Sequence, residues 1–149
     1  MKNMNYENEI WKPINSITLK TGQTHYFEGY EVSNYGRVRT YKQKYGSVSK
    51  ANMAAGIRRP LLKTPTIING RPDQKGYIQY DLSDINLVKK NYRAHTLVMQ
   101  VFVGLPKEYE VVCHNDDIKT NNHISNLRYD SQEENMKDKL RNKVLKSQG

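Results

Sequence analysis

The longest apolar stretch in this sequence covers only residues 97–103, Leu-Val-Met-Gln-Val-Phe-Val, and Gln100 interrupts it. A chain whose apolar runs are this short must be built from short elements, and it falls far below the roughly 20 residues that cross a bilayer. Residues 1–9 hold no apolar signal segment either, so the reading is of a protein without a membrane span, expected in the cytoplasm. With 149 residues and 36% hydrophobic content, one domain or two small ones are expected, without a single large core. Cys113 is the only cysteine. Neither an intramolecular disulfide nor a C-x-x-C zinc site can staple the fold, which suits a reducing compartment.

Charge is concentrated in one place. The net charge is +9, and residues 36–75 alone carry ten Lys or Arg against a single acidic residue, Asp73, which accounts for the whole excess. Arg37, Arg39, Lys42, Lys44, Lys50, Arg58, Arg59, Lys63, Arg71 and Lys75 are interleaved there with Tyr41, Tyr45 and several glycines. Cations on flexible backbone with almost no carboxylates suit a phosphate track, where counterion release supplies the affinity. Nucleic acid is favoured over an anionic membrane, because no amphipathic helix accompanies the charge.

The alternation of Tyr30-Glu31-Val32-Ser33 and Arg37-Val38-Arg39-Thr40 around Asn34-Tyr35-Gly36 predicts a β-hairpin in which Asn34 or Gly36 takes the positive φ. Trp11 is read as a core anchor of this N-terminal part. Residues 41–75 read as an extended basic connector with a short strand at 66–68. From residue 77 the pattern tightens into a second hairpin, turning at 83–86 and returning over 87–93. Leu97, Val98, Val101 and Phe102 then lie on one helical stripe that Gly104 and Pro106 end. His95 is read as a packing or helix-start residue.

Glu110-Val111-Val112-Cys113-His114 reads as a short apolar strand ending in a histidine, followed by a polar loop over residues 115–125 and a second strand, Asn126-Leu127-Arg128-Tyr129. Ser131-Gln132-Glu133-Glu134 is a capping box, so a helix is expected to start at Ser131, with Met136, Leu140 and Val144 on its buried face and Asn135 near its start. Strand, loop, strand and helix within 40 residues can bring His114 and Asn135 across a small cleft. Asn121 and Asn122 are read as residues that satisfy loop backbone or adopt αL.

This order of residues resembles the HNH nuclease family. Val111-Val112-Cys113-His114-Asn115-Asp116-Asp117 is similar to its first strand and catalytic turn, Lys119-Thr120-Asn121-Asn122 to its loop, Asn126-Leu127-Arg128-Tyr129 to its second strand, and Glu134-Asn135 to its helix start. Arg93-Ala94-His95-Thr96-Leu97-Val98 resembles the His-containing helix that precedes the motif in phage homing endonucleases. Trp11-Lys12-Pro13-Ile14 with residues 30–38 is similar to the nuclease-associated module of intron-encoded and free-standing phage enzymes. The resemblance implies an α+β fold: a small β-rich N-terminal module at 1–40, a basic connector at 41–75, and a C-terminal ββα-metal core (HNH, or His-Me finger) at 76–149.

It implies further a divalent-metal-dependent DNA endonuclease that hydrolyses phosphodiester bonds to 5′-phosphate and 3′-hydroxyl ends, nicking or cutting both strands. His114 would be the general base, a role that suits an imidazole titrating near working pH, and one divalent ion, Mg²⁺ or Mn²⁺, would offset charge on the leaving 3′ oxygen. Asn135 matches the metal ligand on the helix, and Asn126 matches the middle residue, which braces the loop. Cys113 stands where relatives often carry Asp; a thiol is a poor Mg²⁺ ligand and better for Mn²⁺ or softer ions, and Asp116, Asp117, His123 or a water are candidate replacements. Double-stranded DNA is the expected partner, held along Arg37, Arg39, Lys42, Lys44, Arg58, Arg59, Lys63, Arg71 and Lys75, with monomer and homodimer both open. The competing class is a DNA-binding or regulatory module whose nuclease core has lost its metal.

Overall fold

The computed structural model describes residues 4–43 and 60–131. Eleven short strands and one α-helix are assigned among them. β1 (Trp11–Pro13), β4 (Tyr30–Ser33), β5 (Val38–Thr40) and β6 (Thr66–Ile68) form an antiparallel sheet in the order β1-β4-β5-β6. β2 (Ser16–Thr18) and β3 (Thr24–Tyr26) make a separate ribbon. β7 (Arg71–Pro72), β8 (Ile78–Ser83) and β9 (Lys89–Arg93) make a three-stranded antiparallel sheet, and β10 (Glu110–His114) pairs with β11 (Leu127–Ser131).

Both expected hairpins form. The first turns at residues 33–37, where Gly36 takes φ +84° and its N–H closes the turn on the Ser33 carbonyl at 2.9 Å; glycine adopts this backbone region without the Cβ penalty that other residues meet. Asn34 instead uses its side chain, accepting from the Ile10 N–H at 2.8 Å. The strand expected at 66–68 also forms, and it is paired with β5 in the N-terminal sheet.

α1 (Ala94–Phe102) buries Leu97, Val98 and Met99, as its apolar stripe predicts. It packs on strands of three of the sheets and is bonded to the fourth: Gln100 Nε2 donates to the Thr18 carbonyl and its Oε1 accepts from the Thr18 N–H, both at 2.9 Å. The buried apolar residues therefore join into one cluster, reaching from Ile14 and Ile17 through Val32, Tyr80 and Leu82 to Leu97 and Leu127. Among the described residues the buried apolar side chains thus form one cluster, where the low apolar content predicts no single large core. Aromatic residues make up the volume that aliphatic residues lack: Phe27 meets Tyr92 and Tyr30 edge-on at 5.3 and 6.2 Å. Two of the tyrosines stay hydrogen-bonded while buried, Tyr80 Oη donating to the Gly36 carbonyl at 2.9 Å and Tyr30 Oη accepting from the Ser83 N–H at 3.2 Å, which removes the cost of burying a hydroxyl.

Among the described residues no helix is long and apolar enough to cross a membrane. β11 continues through Ser131, which pairs with Glu110. The helix expected beyond it, with Glu134, Asn135, Met136, Leu140 and Val144, lies outside the described residues, as do Lys44, Lys50, Arg58 and Arg59.

Candidate active site

The β10–β11 ribbon runs in register from Glu110 opposite Ser131 to His114 opposite Leu127. Successive side chains of an extended strand leave opposite faces, so His114 shares a face with Val112, which packs against the core, and Cys113 takes the other face. On its own side the His114 ring meets His95 of α1 at 5.2 Å, edge to face, and Tyr77 at 5.9 Å. Tyr77 in turn lies beneath the Arg93 guanidinium at 4.5 Å and the Lys119 ammonium at 4.9 Å, a geometry in which the ring face attracts cations.

The loop between the two strands is held by its own polar side chains. Asp116 accepts at Oδ1 from the Ile118 N–H and from Asn126 Nδ2, both at 2.9 Å, and at Oδ2 from Asn121 Nδ2 at 2.8 Å. Desolvation opposes ionisation of Asp116, but these hydrogen bonds win and keep its carboxyl below the usual range. Asn126, buried at 9% exposure, closes the loop: its Nδ2 also donates to the Asn121 carbonyl at 2.9 Å and its Oδ1 accepts from the Asp116 N–H at 3.2 Å.

Asn122 does something different. Its Oδ1 stands 2.9 Å from His114 Nε2. An amide oxygen only accepts, so Nε2 must carry the proton, and in the neutral ring the lone pair resides on Nδ1. Among the described residues no hydrogen bond engages that Nδ1. His95 beside it is neutral for another reason: desolvation first, and the neighbouring His114 second, push its pKa down to about 3. Its Nδ1 is buried and has no hydrogen-bond partner among the described residues.

The other expected residues divide into those used up internally and those presented to solvent. Arg37 is committed to Glu9, with Nε donating to Oε2 at 2.9 Å and a second bond from Nη2 to Oε1, and it lies over the Tyr6 ring at 4.0 Å. Arg39 pairs with Glu31 at 2.7 Å and stacks on Trp11 at 4.2 Å, and Lys42 donates to the Ser83 carbonyl at 3.1 Å. Arg71 is exposed but holds Asp81 through both terminal nitrogens. Lys63 and Lys75 are exposed. His123 packs against Tyr35 at 4.5 Å, and its Nδ1 accepts from the Ser125 N–H at 3.1 Å.

The described donors do not complete a site for a hard divalent ion. Cys113 is 1% exposed on the face away from His114, with Sγ donating to the Val111 carbonyl at 3.7 Å. Asp116 spends both oxygens on the loop, and among the described residues no three His, Cys, Asp or Glu side chains converge. Asn135 lies outside the described residues.

A family model described as HNH endonuclease matches residues 92–137, and one described as NUMOD4 motif matches residues 9–83, half of the chain. The chain belongs to the proteins that carry a NUMOD4 motif, followed here by a segment that matches the HNH endonuclease model. Among curated proteins the chain is similar to "Uncharacterized HNH endonuclease L245" of Acanthamoeba polyphaga mimivirus, 31% identical over 120 residues, which is 80% of this chain and 29% of that relative. Among solved structures it is similar to the one described as "DNA binding and cleavage by the HNH homing endonuclease I-HmuI", with TM-score 0.58 and 24% identity, covering 88% of this chain and 57% of that one. The second likeness is one of fold. The chain thus spans 29% of the curated relative's length.

Sequence reasoning missed the part played by Asn122. It read the residue as loop backbone support, and the local signal for the pairing is weak, because His114 and Asn122 are eight residues apart in a loop without periodicity. In the sequence Tyr77 is only part of a strand pattern; what marks it out is its position directly after Gly76, immediately before β8, facing two histidines.

Proposed function

We propose that the chain is an HNH endonuclease that hydrolyses phosphodiester bonds of double-stranded DNA, nicking one strand per active site, with His114 as general base. The observation that carries this reading is the 2.9 Å bond from His114 Nε2 to Asn122 Oδ1. It holds the imidazole in the tautomer whose Nδ1 can accept a proton. Nδ1 takes a proton from a water as that oxygen forms its bond to phosphorus and the bond to the 3′ oxygen breaks; the 3′ oxygen then takes a proton from solvent water, leaving a 5′ phosphate and a 3′ hydroxyl. Asn122 fixes the ring, as the orienting partner of a catalytic histidine does, and Asn126 braces the loop that carries Asn122. The exposed cations Lys63, Lys75 and Arg71 support the DNA backbone, together with Lys44, Arg58 and Arg59 of the same basic stretch.

HNH nucleases generally use a divalent metal, and Mg²⁺ or Mn²⁺ is the ion we propose here, with Asn135 among its ligands. Because the described donors do not complete that site, the steps above are assigned to protein groups alone. The burial of Cys113 favours a second reading, in which the chain binds DNA without cutting it.

Supercoiled plasmid incubated with the protein in Mg²⁺, in Mn²⁺ and in chelator separates the two. Conversion to open circles by the native chain in a divalent ion, abolished in His114→Ala and in chelator, supports the nuclease. Salt-sensitive DNA binding with no nicking in either ion supports the binding module, and cleavage that survives His114→Ala removes His114 from the chemistry.

A further inference from the structure

The N-terminal hairpin turn is pressed against the loop that orients His114. A Cβ built on Gly36 would lie 2.7 Å from Asn122 Cβ and 3.1 Å from the Asn122 carbonyl oxygen, so the glycine backbone and the asparagine are in contact with no room between them. Asn122 is 5% exposed. Two further contacts hold the same two segments together: the Ile124 N–H donates to the Asn34 carbonyl at 2.8 Å, and Tyr35 packs edge-on against His123 at 4.5 Å. The turn itself is held from below, where Tyr80 Oη donates to the Gly36 carbonyl at 2.9 Å.

These contacts make a continuous chain from the N-terminal module to the imidazole. Tyr80 holds Gly36, Gly36 backs Asn122, and Asn122 holds Nε2 of His114. An amide side chain has two rotatable bonds, and a hydrogen bond weakens steeply as its angle closes, so the side on which Asn122 is supported decides whether its oxygen reaches the ring. From this geometry we propose that Gly36 is a positioning residue for the general base: the hairpin turn of the N-terminal module supports Asn122 and so sets the orientation of His114. The inference rests on the reading of His114 as general base given above. It makes the N-terminal module part of the catalytic architecture, beyond any part it has in holding DNA.

Gly36→Ala tests this, with Gly22→Ala as its control. Gly22 has φ +89° and Gly36 φ +84°, so alanine meets the same backbone strain at both, but a Cβ at Gly22 meets nothing within 4 Å. Three quantities are read on the full chain: the single-turnover nicking rate, the DNA dissociation constant, and the NMR resonance of the His114 Nε2 proton. Misplacing a catalytic group by a fraction of an ångström to an ångström costs up to about 100-fold in rate. Gly36→Ala should therefore lower the nicking rate about 10- to 100-fold, leave the dissociation constant within about threefold, and shift or broaden the Nε2 proton resonance. Gly22→Ala should match the native chain in all three.

Should Gly36→Ala fail to fold, Tyr80→Phe removes only the hydroxyl on the Gly36 carbonyl and should slow nicking several-fold with a smaller shift of the same resonance. A native nicking rate and an unmoved Nε2 resonance in whichever of these two variants folds would overturn the proposal. The outcome differs from a failure of the functional reading itself. If His114→Ala still nicks, the base is misassigned; if His114→Ala is inactive while Gly36→Ala nicks like the native chain, the support from the turn is what fails. The resonance tests the contact even in a chain that never nicks.

Discussion

The side-chain oxygen of Asn122 lies 2.9 Å from Nε2 of His114, and this one contact assigns different tasks to the two neighbouring asparagines that end the Lys-Thr-Asn-Asn segment. Asn121 turns its amide to Asp116 and its carbonyl to Asn126, which closes the loop. Asn122 turns inward to the histidine. The loop is a frame, and Asn122 is its point of contact with His114.

That contact works through an acceptor oxygen, so what replaces it matters more than how large the replacement is. Asn122→Ala should lower the single-turnover nicking rate about 100-fold, since the tautomer is no longer fixed. Asn122→Asp keeps an acceptor at the same reach and should stay within about tenfold of the native rate. Equal rates for the two variants would contradict the orienting role; plasmid nicking measures both.

His95 gives stability a pH dependence of definite sign. Its folded pKa of about 3 lies below the unfolded value of about 6.5, because burial excludes the charged ring. Above pH 6.5 neither state is protonated and the contribution is complete; as pH falls, the unfolded chain takes up a proton that the folded chain refuses. Between pH 7 and pH 5 this should cost about 2 kcal/mol. Urea unfolding at the two pH values should show that loss in the native chain and a flatter slope in His95→Phe.

Asp84 acts in a lower window. It accepts from His25 Nδ1 at 2.7 Å and from the backbone N–H groups of Asn86 and Val88 at 2.8 and 2.9 Å, joining β3 to the turn between β8 and β9. The hydrogen bond from His25, against desolvation and with help from those N–H groups, keeps its carboxyl below the ordinary value. Its contribution is therefore complete above about pH 3.9 and lost as pH falls through the depressed folded value. Removing the partner of a buried pair is costly, and Asp84→Ala should lose about 3 kcal/mol at pH 7. A urea midpoint equal to that of the native chain would refute this.

The basic residues should separate in a salt titration. Lys63→Ala combined with Lys75→Ala removes two exposed cations and should reduce the slope of log affinity against log salt by about 2. Arg37→Ala should leave that slope unchanged, because its guanidinium is held by Glu9 and Tyr6, and should instead lower stability by about 1 kcal/mol. A slope that drops in Arg37→Ala would return that residue to the DNA surface.

Much of this arrangement is legible in the residues themselves. Alternating runs and a turn glycine specify the hairpin at Gly36, the apolar stripe specifies α1 and its end, and the order of residues from Val111 to Tyr129 specifies strand, loop and strand with a histidine at the first strand's end. Each of these is decided within a few residues, where backbone preference and periodicity act. Gln100 shows where local reading stops: in the sequence it is a break in an apolar stretch, and in the fold both ends of its amide clasp Thr18, 82 residues away.

The destination of a polar side chain is a matter of which elements meet, and that is settled by packing. Arg37 sits in the basic stretch yet serves Glu9, Cys113 adjoins the histidine yet faces away from it, and Asn122 reaches His114. The sequence by itself determined the short elements and the residue types that each of them carries. Only the tertiary structure decided which asparagine holds the imidazole and that a glycine in the other half of the chain stands behind it, because those contacts come from surfaces brought together by one shared core rather than from neighbours along the backbone.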